Sequence, residues 1–174
     1  MKRQGSWLLL AASAAVLGAC STTAPRMSTP SPVPGQAADG MKWGFDRGFD
    51  SDPQGEVKLA YGEPDTDNVG IMLFCRPKTA SVQFVTDLDK GRPGRGVVRF
   101  ESGKDKGRYA ASLEKSEASD GWIATGKIQL PDPVLSAFEK AGQISQVEDK
   151  TYPQNARTAA ERADIKRFFG ACRG

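Results

Sequence analysis

Apolar and polar residues alternate through the middle of the chain. Val57, Leu59 and Tyr61 share one side of a period-two pattern, and Val69, Ile71, Leu73 and Cys75 share one side of the next. Successive side chains of a strand point to opposite faces, so this alternation predicts half-buried β-strands. Met72 and Phe74 are apolar on the second face of that run, which predicts a central strand buried on both sides. Val82, Phe84 and Leu88 follow, then Val98 and Phe100, then Tyr109, Ala111 and Leu113. Trp122, Ala124, Gly126, Ile128 and Leu130 all occupy even positions and define one core face.

Turn residues separate these runs: Gly-Glu-Pro-Asp at 62–65, Arg-Pro-Lys at 76–78, Gly-Arg-Pro-Gly at 91–94, 103–107, and Ser-Asp-Gly at 119–121. The echo of Gly44-Phe45-Asp46 in Gly48-Phe49-Asp50 reads as a turn-rich entry strand with aromatic anchors. The tail then changes period. Val134, Leu135, Phe138 and Ala141, after Pro131-Asp132-Pro133 and before Gly142, predict a short helix. Ile144 to Val147 suits a further strand, and Arg157 to Phe169 a second helix ended by Gly170. The expected fold is mainly β, an antiparallel β-sandwich or barrel with two short C-terminal helices, over residues 41–174.

The first twenty residues follow a different logic. Lys2 and Arg3 precede an apolar run from Trp7 to Leu17, and Leu17-Gly18-Ala19-Cys20 closes it. A basic head, a short apolar stretch and small residues, in that order, make a secretory signal peptide over residues 1–19. The last four residues resemble the lipobox of bacterial lipoproteins. That resemblance implies cleavage before Cys20, a diacylglyceryl group on its thiol and acylation of the new amine. Two acyl signals suffice for stable anchoring, so acyl chains on Cys20 would hold the protein on a membrane. The sorting rule of that class makes Ser21, in place of Asp, a signal for the periplasmic face of the outer membrane.

Residues 21–40 contain four Pro and six Ser or Thr, with only Met27 and Val33 as larger apolar side chains. Such a segment cannot bury enough surface to offset its ordering entropy, which predicts a disordered tether. It would span roughly 25 Å as a coil and roughly 60 Å extended. Loss of Lys2 and Arg3 leaves 22 basic and 21 acidic side chains, a net charge of +1. A near-neutral chain has no broad footprint for nucleic acid.

No histidine is present, which excludes Ser-His-Asp and Cys-His catalysis, His-ligated metals and histidine pH switches. With Cys20 lipidated, Cys75 and Cys172 remain, and an oxidising compartment predicts that they pair. The alternative, a cysteine nucleophile, lacks a neighbouring base in sequence. Asp65-Thr66-Asp67-Asn68-Val69-Gly70 starts like a calcium loop, but Val69 and Arg76 stand where oxygens are needed, so it reads as an acidic turn. Asp46, Asp50, Asp52 and Glu56 cluster in the entry segment; acid–base chemistry would require burial that separates their pKa values. The sequence implies no metal, no cofactor and no catalytic residue.

Two basic clusters remain as partner-binding candidates. Lys90, Arg92 and Arg95 form one, and Lys104, Lys106 and Arg108 the other. In an up-and-down meander they would lie at opposite ends of the sheet and stay apart. Ser102-Gly103, Gly107-Arg108-Tyr109 and Gly121-Trp122 through Gly126 resemble the family of membrane-bound inhibitors of c-type lysozyme. That resemblance spans Cys75 to Gly126 and implies a small β-barrel lipoprotein. Ser102, Gly103, Arg108 and Tyr109 would enter the acidic lysozyme cleft. Lys104 to Lys106 enlarge that loop, and the helices of 131–170 are additional.

The expected function is a non-enzymatic, lipid-anchored envelope module that binds an envelope protein or an acidic envelope component. Paired buried carboxylates in a cleft would instead favour an enzyme, and an apolar pocket inside the sheet a carrier of hydrophobic ligands.

Overall fold

The computed structural model describes residues 40–47 and 55–174. The leader, Cys20 and the tether to residue 39, with Asp50 and Asp52, lie outside the described residues. The element order is β1 (Lys42–Asp46), β2 (Val57–Gly62), β3 (Val69–Cys75), β4 (Ser81–Leu88), β5 (Gly94–Ser102), β6 (Asp105–Lys115), β7 (Trp122–Gln129), α1 (Pro133–Ala141), β8 (Gln143–Val147), β9 (Thr151–Asn155) and α2 (Ala159–Arg173).

All nine strands join one antiparallel, nearly closed, barrel-like sheet in the order β1-β2-β3-β4-β7-β6-β5-β8-β9. It is not a simple meander. β4 pairs with β7 rather than β5, so 89–93 crosses the end of the barrel in a Greek-key step. The two-faced run in β3 is likewise not the centre of the sheet, which is β7. Ile71, Leu73 and Cys75 are buried as their alternation requires, whereas Met72 and Phe74 are half-buried on the outer surface.

Inward-facing side chains fill the barrel. Leu59, Ile71, Leu73, Val82, Phe84 and Phe100 are each fully buried, and the Phe84 and Phe100 rings meet edge to face at 5.3 Å. Each such side chain contributes about 1.5–3 kcal/mol on burial. The helices seal the remaining opening, α1 against β5, β6 and β8, and α2 against β1 and β2. Rings of β1 and the two helices form one chain: Trp43 packs on Phe138 at 4.9 Å, and Phe138 on Phe169 at 5.9 Å.

Local chemistry explains both helices. Asp132 caps α1 by accepting from the Val134 and Leu135 N–H groups, with Pro133 leading the first turn. Thr158 and Glu161 form a capping box at the start of α2. Glu161 also reaches β1, its Oε2 accepting from the Trp43 N–H at 3.2 Å. The Trp43 indole donates to the Gln154 carbonyl of β9. Glu161 and Trp43 thereby tie together the two edges of the sheet. Helix α2 does not stop at Gly170. Glu161, Ile165, Phe168, Phe169 and Cys172 form its buried stripe, and Gly170 faces open space. The roughly 1 kcal/mol cost of a helical glycine is small beside burial of two phenylalanines. The stripe ends in the expected bond, Cys75 to Cys172, with Cα atoms 5.7 Å apart.

Candidate functional site

The β5–β6 hairpin turns through Gly103 and Lys104, between the paired Ser102 and Asp105. Gly103 has φ +60°, the left-handed region that the first position of a type II′ hairpin demands. This tight turn fixes the register of the whole hairpin. Arg99 therefore stands directly across from Arg108, and Val97 across from Ala110. All four face outward, and Val97 is 50% exposed. Like charges directly opposite one another destabilise a sheet. Among the described residues no acidic group lies within ion-pair distance of Arg95, Arg99, Lys104, Arg108 or Lys127 of β7. Lys106 is the exception on this face, bound to Glu101 at 3.0 Å.

Two other hairpin residues are committed to the fold. Ser102 is 2% exposed and its hydroxyl donates to the Gln143 carbonyl. Tyr109 packs against Phe84 and Phe100, and its hydroxyl donates to the Asp132 cap at 2.9 Å. Burial, together with that bond, pushes its phenol well above the ordinary range. Gly103, Lys104, Lys106 and Arg108 are the exposed members of the predicted set in this hairpin, and of these Lys106 is taken up by Glu101. Arg99 escaped sequence reasoning, although a turn centred on Gly103-Lys104 implies its pairing with Arg108.

The other basic cluster sits at the opposite end of β5, as expected. Arg92 and Arg95 are exposed, and Lys90 is bound to Asp149 at 2.6 Å. The 89–93 crossing is held down by polar contacts to the β8–β9 turn. The Asp89 N–H donates to Glu148, and the Tyr152 hydroxyl donates to Asp89 at 2.5 Å. Gln146 donates to the Asp87 carbonyl and to Glu148, while accepting from Thr86 inside the barrel. Burial raises the pKa values of Asp87 and Glu148. Glu148 is engaged in holding this crossing in place, and Asp87 lies on the outward side of β4.

A cavity of about 330 Å³ lies at the helix end, between α1, the last turn of α2, the β3–β4 turn and Leu130-Pro131. It is lined by helix and turn residues rather than by the inward face of the strands. Elsewhere, Asp46 is paired with Lys58 at 3.7 Å, and of the 65–70 run residues 65–67 are an exposed turn, stapled with Asn68 to Glu63, while Val69 and Gly70 already belong to β3. Among the described residues no group of three or more Cys, Asp or Glu is placed to hold a metal ion. No helix among them is long and apolar enough to cross a membrane. Comparison of the chain with protein-family models, curated proteins and solved structures finds no match.

Proposed function

We propose that this chain is a lipid-anchored protein of the cell envelope and a binding module, not an enzyme. Its outer β5–β6 face docks an anionic envelope component. Anchoring rests on the order of charges and apolar residues before Cys20. Docking rests on one observation, the opposed Arg99 and Arg108, neither with an acid within ion-pair distance among the described residues, the neighbouring Glu101 being bound to Lys106. Guanidinium forks match carboxylate and phosphate oxygens, and a partner bearing these would relieve the like-charge repulsion. The closed core supports a rigid platform.

In cells, Cys20→Ser is expected to move the protein from the membrane fraction to the soluble periplasm. A photo-crosslinker at Val97 is expected to capture a partner that is lost in Arg99→Ala/Arg108→Ala. Retention of the Cys20→Ser protein in the membrane refutes the anchor, and capture that ignores the arginines refutes the docking face. The narrower lysozyme-inhibitor reading would depend on Lys104 and Arg108. Unchanged c-type lysozyme activity at excess protein removes it.

A further inference from the structure

We infer that the cavity between α1, α2 and the β3–β4 turn is a binding site for a small amphipathic monoanion, an alkyl chain ending in a carboxylate or phosphate. This rests on neither the anchor nor the arginine face.

Four segments distant in sequence converge there. Leu130, Leu135, Phe169 and Cys172 supply an apolar floor. The Cys75–Cys172 bond pins the end of α2 beside the β3–β4 turn. A volume of about 330 Å³ equals about 11 water-sized volumes of about 30 Å³, room for a ten-carbon chain whose head group stays at the mouth. Cavities of this kind bind through apolar burial and take their specificity from a few polar groups at the mouth.

Those groups have an asymmetric charge. Glu139 and Arg173 neutralise each other in a two-bond fork, at 2.6 and 2.8 Å. Ser136 adds a hydroxyl. Lys78 is the remaining cation, with no acidic group within ion-pair distance among the described residues. The lining therefore carries one net positive charge over an apolar floor.

Lys78 also sits where a lysine is costly. Its φ is +64°, in the left-handed region that glycine tolerates and side chains rarely adopt. The turn holds it there, the Lys78 N–H donating to the Cys172 carbonyl at 3.0 Å. Glycine would relieve the strain and keep that bond; the Lys78 stem runs beside Gly174 at the end of α2, but the ammonium itself has no acidic side chain to bind among the described residues. An anionic head group at the mouth supplies that partner.

The test uses the purified full chain carrying Cys20→Ser, free of detergent, with decanoate as the anionic probe and decan-1-ol as its neutral counterpart. Calorimetry is expected to show saturable one-to-one binding of decanoate, about tenfold tighter than decan-1-ol. Lys78→Gly is expected to raise the melting temperature of the unliganded protein while erasing that preference. A purely structural lysine would not separate these two readouts. Ser136→Phe, a bulky ring on the lining face of α1, is expected to abolish binding of both probes with the fold intact by circular dichroism. Three results would each overturn the inference: no saturable binding of decanoate, equal affinity for the two probes, or undiminished preference in Lys78→Gly.

Discussion

Replacing Glu161 by Ala tests whether one carboxylate closes the barrel. Its oxygens accept from the Arg157 and Thr158 N–H groups and the Thr158 hydroxyl at the helix start, and from the Trp43 N–H on the edge strand β1. Thr158→Ala removes the capping contacts alone and should cost about 1 kcal/mol. Glu161→Ala removes the capping box and also strands the Trp43 N–H, on a residue 1% exposed. A buried donor without a partner costs about 1–3 kcal/mol, so the total is about 3 kcal/mol. Near the melting point a domain of this size loses about 0.3 kcal/mol per degree, which makes the shifts about 3 °C and about 10 °C. Urea denaturation at constant m-value, beside thermal scans, measures both. Glu161→Gln, which keeps one acceptor, should fall between them. If Glu161→Ala costs no more than Thr158→Ala, the carboxylate is only a helix cap and the edge-sealing account is wrong.

Other expectations concern separate parts of the fold. Cys75→Ser/Cys172→Ser opens a loop of sequence separation 97 and should destabilise by up to about 4–5 kcal/mol, read as a large fall in melting temperature that reductant reproduces in the parent protein. All three tyrosines have phenols held above their ordinary value: Tyr61 chiefly by burial, Tyr109 by burial and Asp132, Tyr152 by its bond to Asp89. A raised folded pKa stabilises the native state fully below about pH 10, and that share is lost as pH rises toward the folded values. Ultraviolet titration should therefore show no phenolate near pH 10 in native protein, and tyrosine ionisation should coincide with alkaline unfolding. Gly126→Ala would drive a methyl into the Phe84 ring and the Ala110 carbonyl, costing about 1–3 kcal/mol by calorimetry; a neutral effect would show that β6 and β7 can move apart.

Period-two alternation made β2 through β7 legible, because a sheet with one packed face writes its register into the chain. β9 was not legible. Pro153 interrupts it, and Tyr152 is its one large apolar side chain; it survives as an edge strand, where proline removes a donor that needs no partner. The β4-to-β7 pairing was hidden for another reason. Alternation states which residues face inward, not which strand lies alongside. Met72 and Phe74 misled because a half-exposed apolar side chain on a barrel exterior has the same letter as a buried one. The extent of α2 was obscured by Gly170, which local rules read as a stop and which the Phe168, Phe169 and Cys172 packing overrides. Both binding candidates needed three dimensions. The cavity lining comes from segments around residues 78, 130, 135 and 172. The opposed arginines follow from a single turn.

The bond between Cys75 and Cys172 also sets how the chain responds to mechanical load. Tension entering from the amino-terminal side meets β1 first and can peel β1 and β2 from their neighbours. It cannot lengthen the span between the two sulfurs, since those residues sit inside a covalent ring. Optical tweezers attached near the two ends should therefore record a short extension in oxidised protein. Reductant should restore the contour length of the 97 intervening peptide units.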